Sequence, residues 1–286
     1  MPPCRRIDLL RNAPIRRNVP CMPAHESAKR PGTHPGADRR DEPGGTPALE
    51  ESDTDGERTM IDEPPLLTMR RGFRRPPAAV VAGFQGALTG HVADAMNGRG
   101  AIAGVRAFVE PREPLVGIAV TSRSAPGDQL GLAASLDLLD EGAFLVAAAD
   151  GFAETAITGD LLLGMARNLG ARGIVTDSAV RDLAGLKAVG LPVFAAGLTP
   201  NSSTRTGPGS AGLPVVIGGV RVSPGDIVVA DADGVVVVPQ DEAEVVLSAL
   251  TRVKAAEADM EARVAGGLGV PDFVRQIVAS ERTLEI

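Results

Sequence analysis

The sequence predicts a mixed α/β fold in which a helix-flanked half is followed by a strand-rich half. Between residues 115 and 195, short apolar runs alternate with segments whose leucines recur at helical spacing. This alternation is typical of α/β units with parallel strands. After residue 213, four closely spaced runs rich in Val and Ile follow, and glycines and aspartates separate them. These runs predict strands, and Asp233-Gly234 between the last two suits a tight hairpin turn.

The helix-flanked half is predicted element by element from hydrophobic spacing and turn residues. Ala87 to Asn97 has a helical apolar face and is expected to be a helix, with Thr89 as its cap. Strands are predicted at the apolar runs 115–120, 143–148, 173–176 and 192–195. The helices that follow these strands are expected at about 127–139, 159–169 and 181–188.

The second half begins after a long polar segment. From Gly197 to Gly212 the chain is mostly Gly, Ser, Thr and Pro, which predicts a functional or mobile loop. Strands are then predicted at 214–217, 220–222, 227–230 and 235–238. A long helix is expected from about Asp241 to Val264, and Pro271 starts a last short helix.

Composition divides the chain into three parts. Residues 1–76 are rich in Pro, Gly and charged side chains with few apolar clusters, so they are expected to be disordered. Met22, Met60 and Met69 are candidate start sites, so a second interpretation is that the tail is an artefact of start-site choice. Residues 77–240 form the predicted core. Residues 241–286 are predicted to be helices that pack on the core or on a neighbouring subunit.

The residue types that the core lacks exclude several kinds of catalytic and metal site. Both cysteines lie in the tail, so the core is not expected to hold a Cys nucleophile, a Cys/His zinc site or a disulfide, and a cytoplasmic location is expected. His91 is the one histidine of the core, and a surface or structural role is predicted for it. The formal net charge of -7 and 2% aromatic content argue against nucleic-acid binding. No apolar run has transmembrane length, so no membrane contact is expected.

The most informative motif joins Gly159-Asp160 to Arg181-Asp182, with twenty residues between Asp160 and Arg181. Both pairs fall at predicted helix starts, and the second follows a strand at the edge where α/β sheets usually bind ligands. Arg can bind a carboxylate in a bidentate way, one Asp can hold a divalent cation, and the other can move a proton. This set predicts a metal-dependent enzyme acting on a small oxo acid. The alternatives are a plain Asp cap at 160 and a surface Arg-Asp pair.

Taken together, ordered motifs from about Ala87 to Gly267 resemble the RraA-like family, which includes the class II 4-hydroxy-4-methyl-2-oxoglutarate/4-carboxy-4-hydroxy-2-oxoadipate (HMG/CHA) aldolases. The segments that carry the resemblance are 159–162, 173–182, 192–197, 218–220, 224–226 and 230–239. The resemblance implies a swivelling α/β/β/α sandwich with mixed sheets. It also implies a homotrimer or a dimer of trimers with active sites between subunits. Ser178 stands where the family usually has Gly, which is expected to shift that loop.

The resemblance implies a divalent-metal-dependent lyase that cleaves a 4-hydroxy-2-oxo acid and releases pyruvate by retro-aldol chemistry, with oxaloacetate decarboxylation as a side activity. It gives catalytic roles to Asp160 and Arg181. The residues implied to bind the 2-oxo acid substrate are Gly159, Asp160, Leu161, Leu162 and Arg181. Asp182 is implied to hold Mg²⁺ or Mn²⁺, and Glu257 to support the metal site of a neighbouring subunit.

The resemblance leaves a second hypothesis. Family members that lack the first acid are linked to non-enzymatic roles, so the alternative is a non-catalytic RraA-type regulator that binds and inhibits a ribonuclease or another protein. Asp160 is present here, which favours the enzyme. A third hypothesis, a domain that acts on phosphoryl groups, is disfavoured because no catalytic His is suitably placed.

Overall fold

The computed structural model describes residues 65–286, which form twelve strands and seven α-helices. The strands are β1 (Leu67–Met69), β2 (Arg106–Val109), β3 (Leu115–Ser124), β4 (Ala143–Ala148), β5 (Ala156–Thr158), β6 (Gly173–Val180), β7 (Val193–Leu198), β8 (Gly209–Ala211), β9 (Val215–Ile217), β10 (Val220–Val222), β11 (Ile227–Asp231) and β12 (Gly234–Val238). The helices are α1 (Ala78–Ala82), α2 (Thr89–Ala95), α3 (Leu130–Ser135), α4 (Asp160–Asn168), α5 (Leu183–Val189), α6 (Ala243–Ala265) and α7 (Asp272–Val278).

A mixed sheet of ten strands organises the fold, and its main path runs β1-β8-β3-β4-β6-β7-β2. Neighbours among β3, β4, β6 and β7 pair in parallel, which confirms the predicted α/β units. The predicted hairpin of β11 and β12 is also confirmed, and β11 joins β3 in antiparallel orientation. β9 and β10 form a separate antiparallel pair.

Three apolar clusters separate four layers. The first cluster lies between the parallel strands and α3–α5, and Leu145 of β4 is at its centre. The second contains Phe144 of the opposite face of β4 together with Val228 of β11. The third contains Ile227 and residues of α2 and α6. Alternate residues of β4 and β11 enter different clusters, so both faces of these strands are covered. This explains why their sequences are almost continuously apolar. The layer order confirms the predicted α/β/β/α sandwich.

Phe144 fills space that two glycines leave on the neighbouring strands. A Cβ atom at Gly117 of β3 would lie 2.9 Å from Cβ of Phe144, and one at Gly173 of β6 would lie 2.7 Å from its Cε2. Phe144 is fully buried. The three residues therefore pack as a unit that fixes how closely β3, β4 and β6 approach.

The last part of the predicted tail, residues 65–76, is ordered rather than disordered, and residues 1–64 lie outside the described part of the chain. Leu67–Met69 forms β1, which pairs in parallel with β8. Phe73 packs against the first cluster, and Arg75 forms an ion pair with Asp140 at 2.5 Å. Leu67-Thr68-Met69 alternates apolar and polar residues, but three residues are too few for this pattern to predict a strand.

Two further expectations need correction. The predicted loop 197–212 is partly strand, because β7 continues to Leu198 and β8 spans Gly209–Ala211. Thr89 does not cap α2: its backbone N–H and its hydroxyl both donate to the buried carboxylate of Asp231, at 2.7 Å each. Asp231 thus links the β11–β12 hairpin to α2. The sequence pattern also does not predict β2, β5 or α1.

The C-terminal segment begins on the core and then leaves it. Ala243, Val246 and Leu250 of α6 are buried in the third cluster. From residue 255 to the end of α6 every residue is exposed. Within residues 65–286, no helix combines the length and the apolar character that crossing a bilayer requires.

Candidate active site

The two motifs predicted to form the site meet where β5 and β6 end. β5 leads through Gly159 into α4, and β6 leads through Arg181 and Asp182 into α5. The strands pair in parallel, and the backbone N–H of Arg181 donates to the carbonyl of Thr158 at 3.1 Å. The strand pairing therefore places two helix starts side by side at the carboxyl edge of the sheet, where α/β folds bind ligands.

A cleft with about 390 Å³ of empty space lies at this edge. Six of the seven predicted site residues line it: Gly159, Asp160, Leu161, Leu162, Arg181 and Asp182. This volume includes space that is open to solvent. The structure thus brings these residues together, although their roles stay predictions.

The first turn of α4 faces this cleft without a capping side chain. Gly159 is the N-cap in extended conformation, and α4 begins at Asp160, so the alternative of a plain Asp cap at 160 is wrong. The first backbone N–H groups of a helix have no carbonyl partner within it. Those near Leu161 and Leu162 are therefore available to donate to an anion, which the helix dipole also attracts.

Gly159 is required by the close approach of the other motif. A Cβ atom at this position would lie 2.5 Å from Oδ2 of Asp182 and 3.1 Å from Cγ of Arg181. Any larger residue would push both functional side chains away from α4. This contact is the local reason why a glycine precedes Asp160.

Asp182 adopts a left-handed backbone conformation, with φ 59° and ψ 45°. Few residues other than Gly adopt it, although Asp is among those that tolerate it. Its carboxylate does not cap α5 and is 45% exposed. Strained conformations of this kind cluster at functional sites, which is consistent with a ligand-binding role for the carboxylate.

Arg181 has two side-chain partners at the cleft. Its Nε lies 3.2 Å from Oδ2 of Asp182, and its Nη1 donates to Oγ of Ser202. The Arg-Asp pair predicted as one alternative therefore exists. It lines the cleft, however, so both partners remain accessible to a ligand.

The cleft offers open carboxylate oxygens rather than a closed set of ligands. No group of three or more His, Cys, Asp or Glu residues in the part of the chain from 65 to 286 could hold a metal ion. A closed structural zinc site would need four ligands. Mg²⁺ commonly binds through one or two carboxylates and keeps several waters. Asp182 fits that second kind of site.

Glu257 does not lie in the cleft of its own chain. It is on the exposed part of α6, and its Oε2 lies 2.8 Å from Nε2 of His91 on α2. The contact is consistent with the structural role predicted for His91. The contribution of Glu257 to a neighbouring subunit stays a prediction.

Six cleft residues were not predicted from the sequence. Ala156 and Thr158 belong to β5, Gln129 precedes α3, and Ser202, Ser203 and Arg205 lie in the loop between β7 and β8. The signal available in the sequence was the long polar segment 197–212, which was predicted to be a functional or mobile loop. The sequence did not show that Asp128 is buried and that this loop supplies its hydrogen bonds.

Ser178 forms hydrogen bonds to the segment that precedes β5. Its buried hydroxyl donates to the carbonyl of Phe152 at 2.7 Å and contacts that of Thr155 at 3.3 Å. The neighbouring Asp177 accepts backbone hydrogen bonds from Ala149 and Gly151. Burial raises the pKa of the Asp177 carboxyl, and these hydrogen bonds offset that effect only in part. Hydrogen bonds of Ser178 and Asp177 therefore hold this segment in place.

Comparison with known proteins identifies relatives of the chain. A "Putative 4-hydroxy-4-methyl-2-oxoglutarate aldolase" from Halalkalibacterium halodurans is 38% identical over 172 residues, which cover 60% of this chain and 80% of the relative. The structure of Streptomyces coelicolor RraAS2, described as an unusual member of the RNase ES inhibitor RraA protein family, matches with a TM-score of 0.60 and 28% identity. That match covers 66% of this chain and 100% of the other.

A second solved structure shows the same fold. An uncharacterized protein from Pseudomonas syringae pv. tomato str. DC3000 matches with a TM-score of 0.60 and 25% identity, over 69% of this chain and 97% of the other. The model of the RraA-like family, described as Aldolase/RraA, matches residues 89–237. That range contains both site motifs and more than half of the chain. The chain therefore belongs to the RraA-like family.

Proposed function

We propose that the chain is a divalent-metal-dependent lyase that cleaves 4-hydroxy-2-oxo acids of the 4-hydroxy-4-methyl-2-oxoglutarate type and releases pyruvate. The observation that carries the proposal is the meeting of the α4 N-terminus, Arg181 and Asp182 in one cleft. The name of the Halalkalibacterium halodurans relative supports the same activity.

The 2-oxo acid end of the substrate matches the donors of the cleft. Its carboxylate would accept hydrogen bonds from the backbone N–H groups near Leu161 and Leu162. Arg181 would bind the same end of the substrate through charge-assisted hydrogen bonds, which are stronger than neutral ones. We propose that this arrangement orients the bond between C3 and C4 toward Asp160.

Asp182 would hold the cation, Mg²⁺ or Mn²⁺. A cation bound there supplies Lewis-acid polarisation of the 2-oxo group, which stabilises negative charge that develops on it. A lysine Schiff base is not proposed in place of the cation, because no lysine of the described part of the chain lines the cleft.

Asp160 is proposed as the proton carrier. Cleavage removes the proton from the 4-hydroxyl group, the C3–C4 electron pair moves toward the pyruvate oxo group, and C3 then takes up a proton. Asp160 would accept the first proton and return one to C3, directly or through a water. The same electron movement follows loss of CO₂ from oxaloacetate, so we propose oxaloacetate decarboxylation as a side activity.

The test is pyruvate release from 4-hydroxy-4-methyl-2-oxoglutarate and from oxaloacetate, with EDTA and after Mg²⁺ is restored. We expect turnover that EDTA abolishes and Mg²⁺ recovers. Arg181→Ala and Asp182→Ala should lose it with an unchanged circular dichroism spectrum. Metal-independent turnover, or none with either substrate, would contradict the proposal.

We also propose that the working unit is a homotrimer or a dimer of trimers. Leu161 and Met165 of α4 and Leu169, its C-cap, recur at helical spacing and are 77%, 55% and 45% exposed. An exposed apolar stripe on a surface helix is typical of an interface. Light scattering after size-exclusion chromatography tests this, and a monomer at micromolar concentration would contradict it.

The second candidate function is a non-catalytic regulator that binds a ribonuclease or another protein. It is favoured by the fold shared with Streptomyces coelicolor RraAS2. Inhibition of a ribonuclease by the wild type and equally by Asp182→Ala, without pyruvate release, would support it over the lyase.

A further inference from the structure

Two arginines line the cleft, and they differ in what surrounds them. Arg181 contacts Asp182 and Ser202. The guanidinium of Arg205 is exposed and forms no ion pair or side-chain hydrogen bond with the described residues, 65–286. Among the residues that the structure describes, the cleft therefore contains a guanidinium without a carboxylate partner.

The backbone that carries Arg205 is fixed on both sides. Asp128 is 3% exposed, and its Oδ2 accepts hydrogen bonds from the hydroxyl of Thr204 at 2.9 Å, the N–H of Thr206 at 2.6 Å and the N–H of Gly207 at 3.0 Å. Its Oδ1 accepts from the N–H of Leu130 at 2.6 Å. A single buried carboxylate thus ties the Arg205 loop to the start of α3.

This carboxylate remains charged under ordinary conditions. Burial raises the pKa of Asp128, but its four hydrogen bonds outweigh burial and hold the pKa below the usual range. Its neighbour Gln129 also donates its backbone N–H to the carbonyl of Thr204 at 3.0 Å, and Gln129 and Arg205 both line the cleft.

The same loop is fastened along β5, opposite the helix start. Ala156 donates its N–H to the carbonyl of Asn201 at 2.9 Å, and its own carbonyl accepts from the hydroxyl of Ser203 at 2.6 Å. The loop therefore forms the wall of the cleft that faces α4. A substrate whose 2-oxo acid end lies at α4 and Arg181 would direct its other end toward this wall.

We propose that Arg205 determines specificity by binding a second carboxylate at the end of the substrate remote from the 2-oxo acid group. Asp128 is the positioning residue that holds Arg205 in place. The inference rests on the proposed function for the orientation of the substrate. A guanidinium binds a carboxylate in a bidentate way, whereas a methyl group at the same place would leave it unpaired.

Two unreactive probes of equal chain length test the inference. 2-Oxoglutarate ends in a carboxylate and 2-oxopentanoate ends in a methyl group. In calorimetry with Mg²⁺ we expect the wild type to bind 2-oxoglutarate about 10- to 100-fold more tightly, as for a charge-assisted pair. Arg205→Gln should reduce this preference to about threefold or less by weakening the diacid only. Arg252→Gln on exposed α6 is the matched control and should keep the preference.

Wild-type protein without a preference for the diacid, or an Arg205→Gln variant that keeps it, overturns the inference. So does wild-type protein that binds neither probe. Asp128→Asn should lower the preference several-fold in protein whose circular dichroism spectrum is native. A merely structural role would lower the affinity for both probes equally, and that result would overturn the positioning role.

Kinetics separates this inference from the proposed function. If the binding preference depends on Arg205 but pyruvate is not released from any substrate, the lyase proposal fails and the inference stands. If pyruvate is released and Arg205→Gln lowers kcat/KM equally for 4-hydroxy-4-methyl-2-oxoglutarate and for 4-hydroxy-2-oxopentanoate, which lacks the second carboxylate, the inference fails and the lyase proposal stands.

Discussion

The carboxyl group of Asp160 lies directly against the backbone of Gly185. A Cβ atom at position 185 would come within 2.7 Å of both Cβ and Cγ of Asp160. Helices α4 and α5 thus approach each other through these two residues. The missing side chain at 185 defines the space in which the Asp160 carboxylate sits.

Gly185→Ala should therefore displace Asp160 and slow pyruvate release. Misplacement of a catalytic group by about 1 Å can cost up to about 100-fold, so we expect a fall in kcat of at least about 10-fold. Alanine is the better helix former, so α5 should persist. Steady-state kinetics and circular dichroism measure the two effects.

Gly164→Ala on α4 is the matched control. The nearest atom to a Cβ there is Cγ2 of Val189 at 3.9 Å, which is ordinary contact distance. We expect unchanged kcat and a gain in unfolding free energy of up to about 1 kcal/mol from helix propensity. Equal loss of activity in both variants would contradict the role of the Asp160–Gly185 contact.

Asp182→Asn should separate the charge of this residue from its backbone conformation. Asparagine tolerates the left-handed region, so the unfolding free energy should change by less than about 0.5 kcal/mol. Pyruvate release should fall at least about 100-fold, because the proposed cation ligand is gone. Calorimetry should also show loss of Mn²⁺ binding. Retained activity would exclude Asp182 as the ligand.

Asp182→Ala provides the comparison. Alanine in the left-handed conformation costs about 1 kcal/mol or more, so this variant should be both inactive and less stable. Urea unfolding of both variants measures the difference. Equal stability of the Asn and Ala variants would show that the backbone relaxes at this position.

The stability that Asp128 provides should depend on pH. Its pKa in the folded protein lies below the usual value, so its contribution is present above the unfolded pKa, about 3.9, and is lost as the pH falls through the folded pKa. Asp128→Asn should cost about 1–3 kcal/mol at pH 7, since an amide group cannot accept all four hydrogen bonds. Urea unfolding should show this difference shrinking below about pH 4.

Asp177 should give the opposite slope. Burial raises its pKa in the folded protein, so the wild type loses stability as the pH rises from the unfolded pKa through the folded one. Asp177→Asn removes that loss. Relative to the wild type, the unfolding free energy of Asp177→Asn should therefore increase between about pH 4 and pH 7. A difference independent of pH would contradict the raised pKa.

Phe144→Ala should be among the most damaging core substitutions. It leaves the space beside Gly117 and Gly173 empty, and Phe-to-Ala changes in cores cost about 3–5 kcal/mol. Phe144→Leu should cost clearly less because it fills part of that space. Urea unfolding measures both, and a cost under about 1 kcal/mol for alanine would show that the three strands close over the cavity.

Strands with uninterrupted apolar runs were predictable, and strands with polar ends were not. The prediction for 143–148 matches β4 at both ends, because turn residues bound a fully apolar run. β6 was predicted to end at Thr176 but continues to Val180. Asp177 and Ser178 look like strand breakers in the sequence, yet their hydrogen bonds to the segment 149–155 satisfy them inside the strand.

The part of the site that the two motifs form was predictable from their spacing in the sequence. The junctions at Gly159-Asp160 and Arg181-Asp182 lie side by side as their position next to strands suggested. The opposite wall depends on hydrogen bonds between Asp128 and residues 76 to 79 positions away. No local sequence pattern predicts hydrogen bonds between residues so far apart. The position of Arg205 in the cleft is therefore seen only in the structure.

The pairing of β1 with β8 has a consequence for synthesis on the ribosome. Leu67 pairs with Gly209, which emerges 142 residues later (209 − 67). At about 5–20 residues per second, β1 waits roughly 7–30 s before its partner exists. Because β8 directly follows the loop that carries Arg205, the wall of the cleft is completed late. A nascent chain stalled before residue 199 would contain α4 and α5 without the loop that forms this wall.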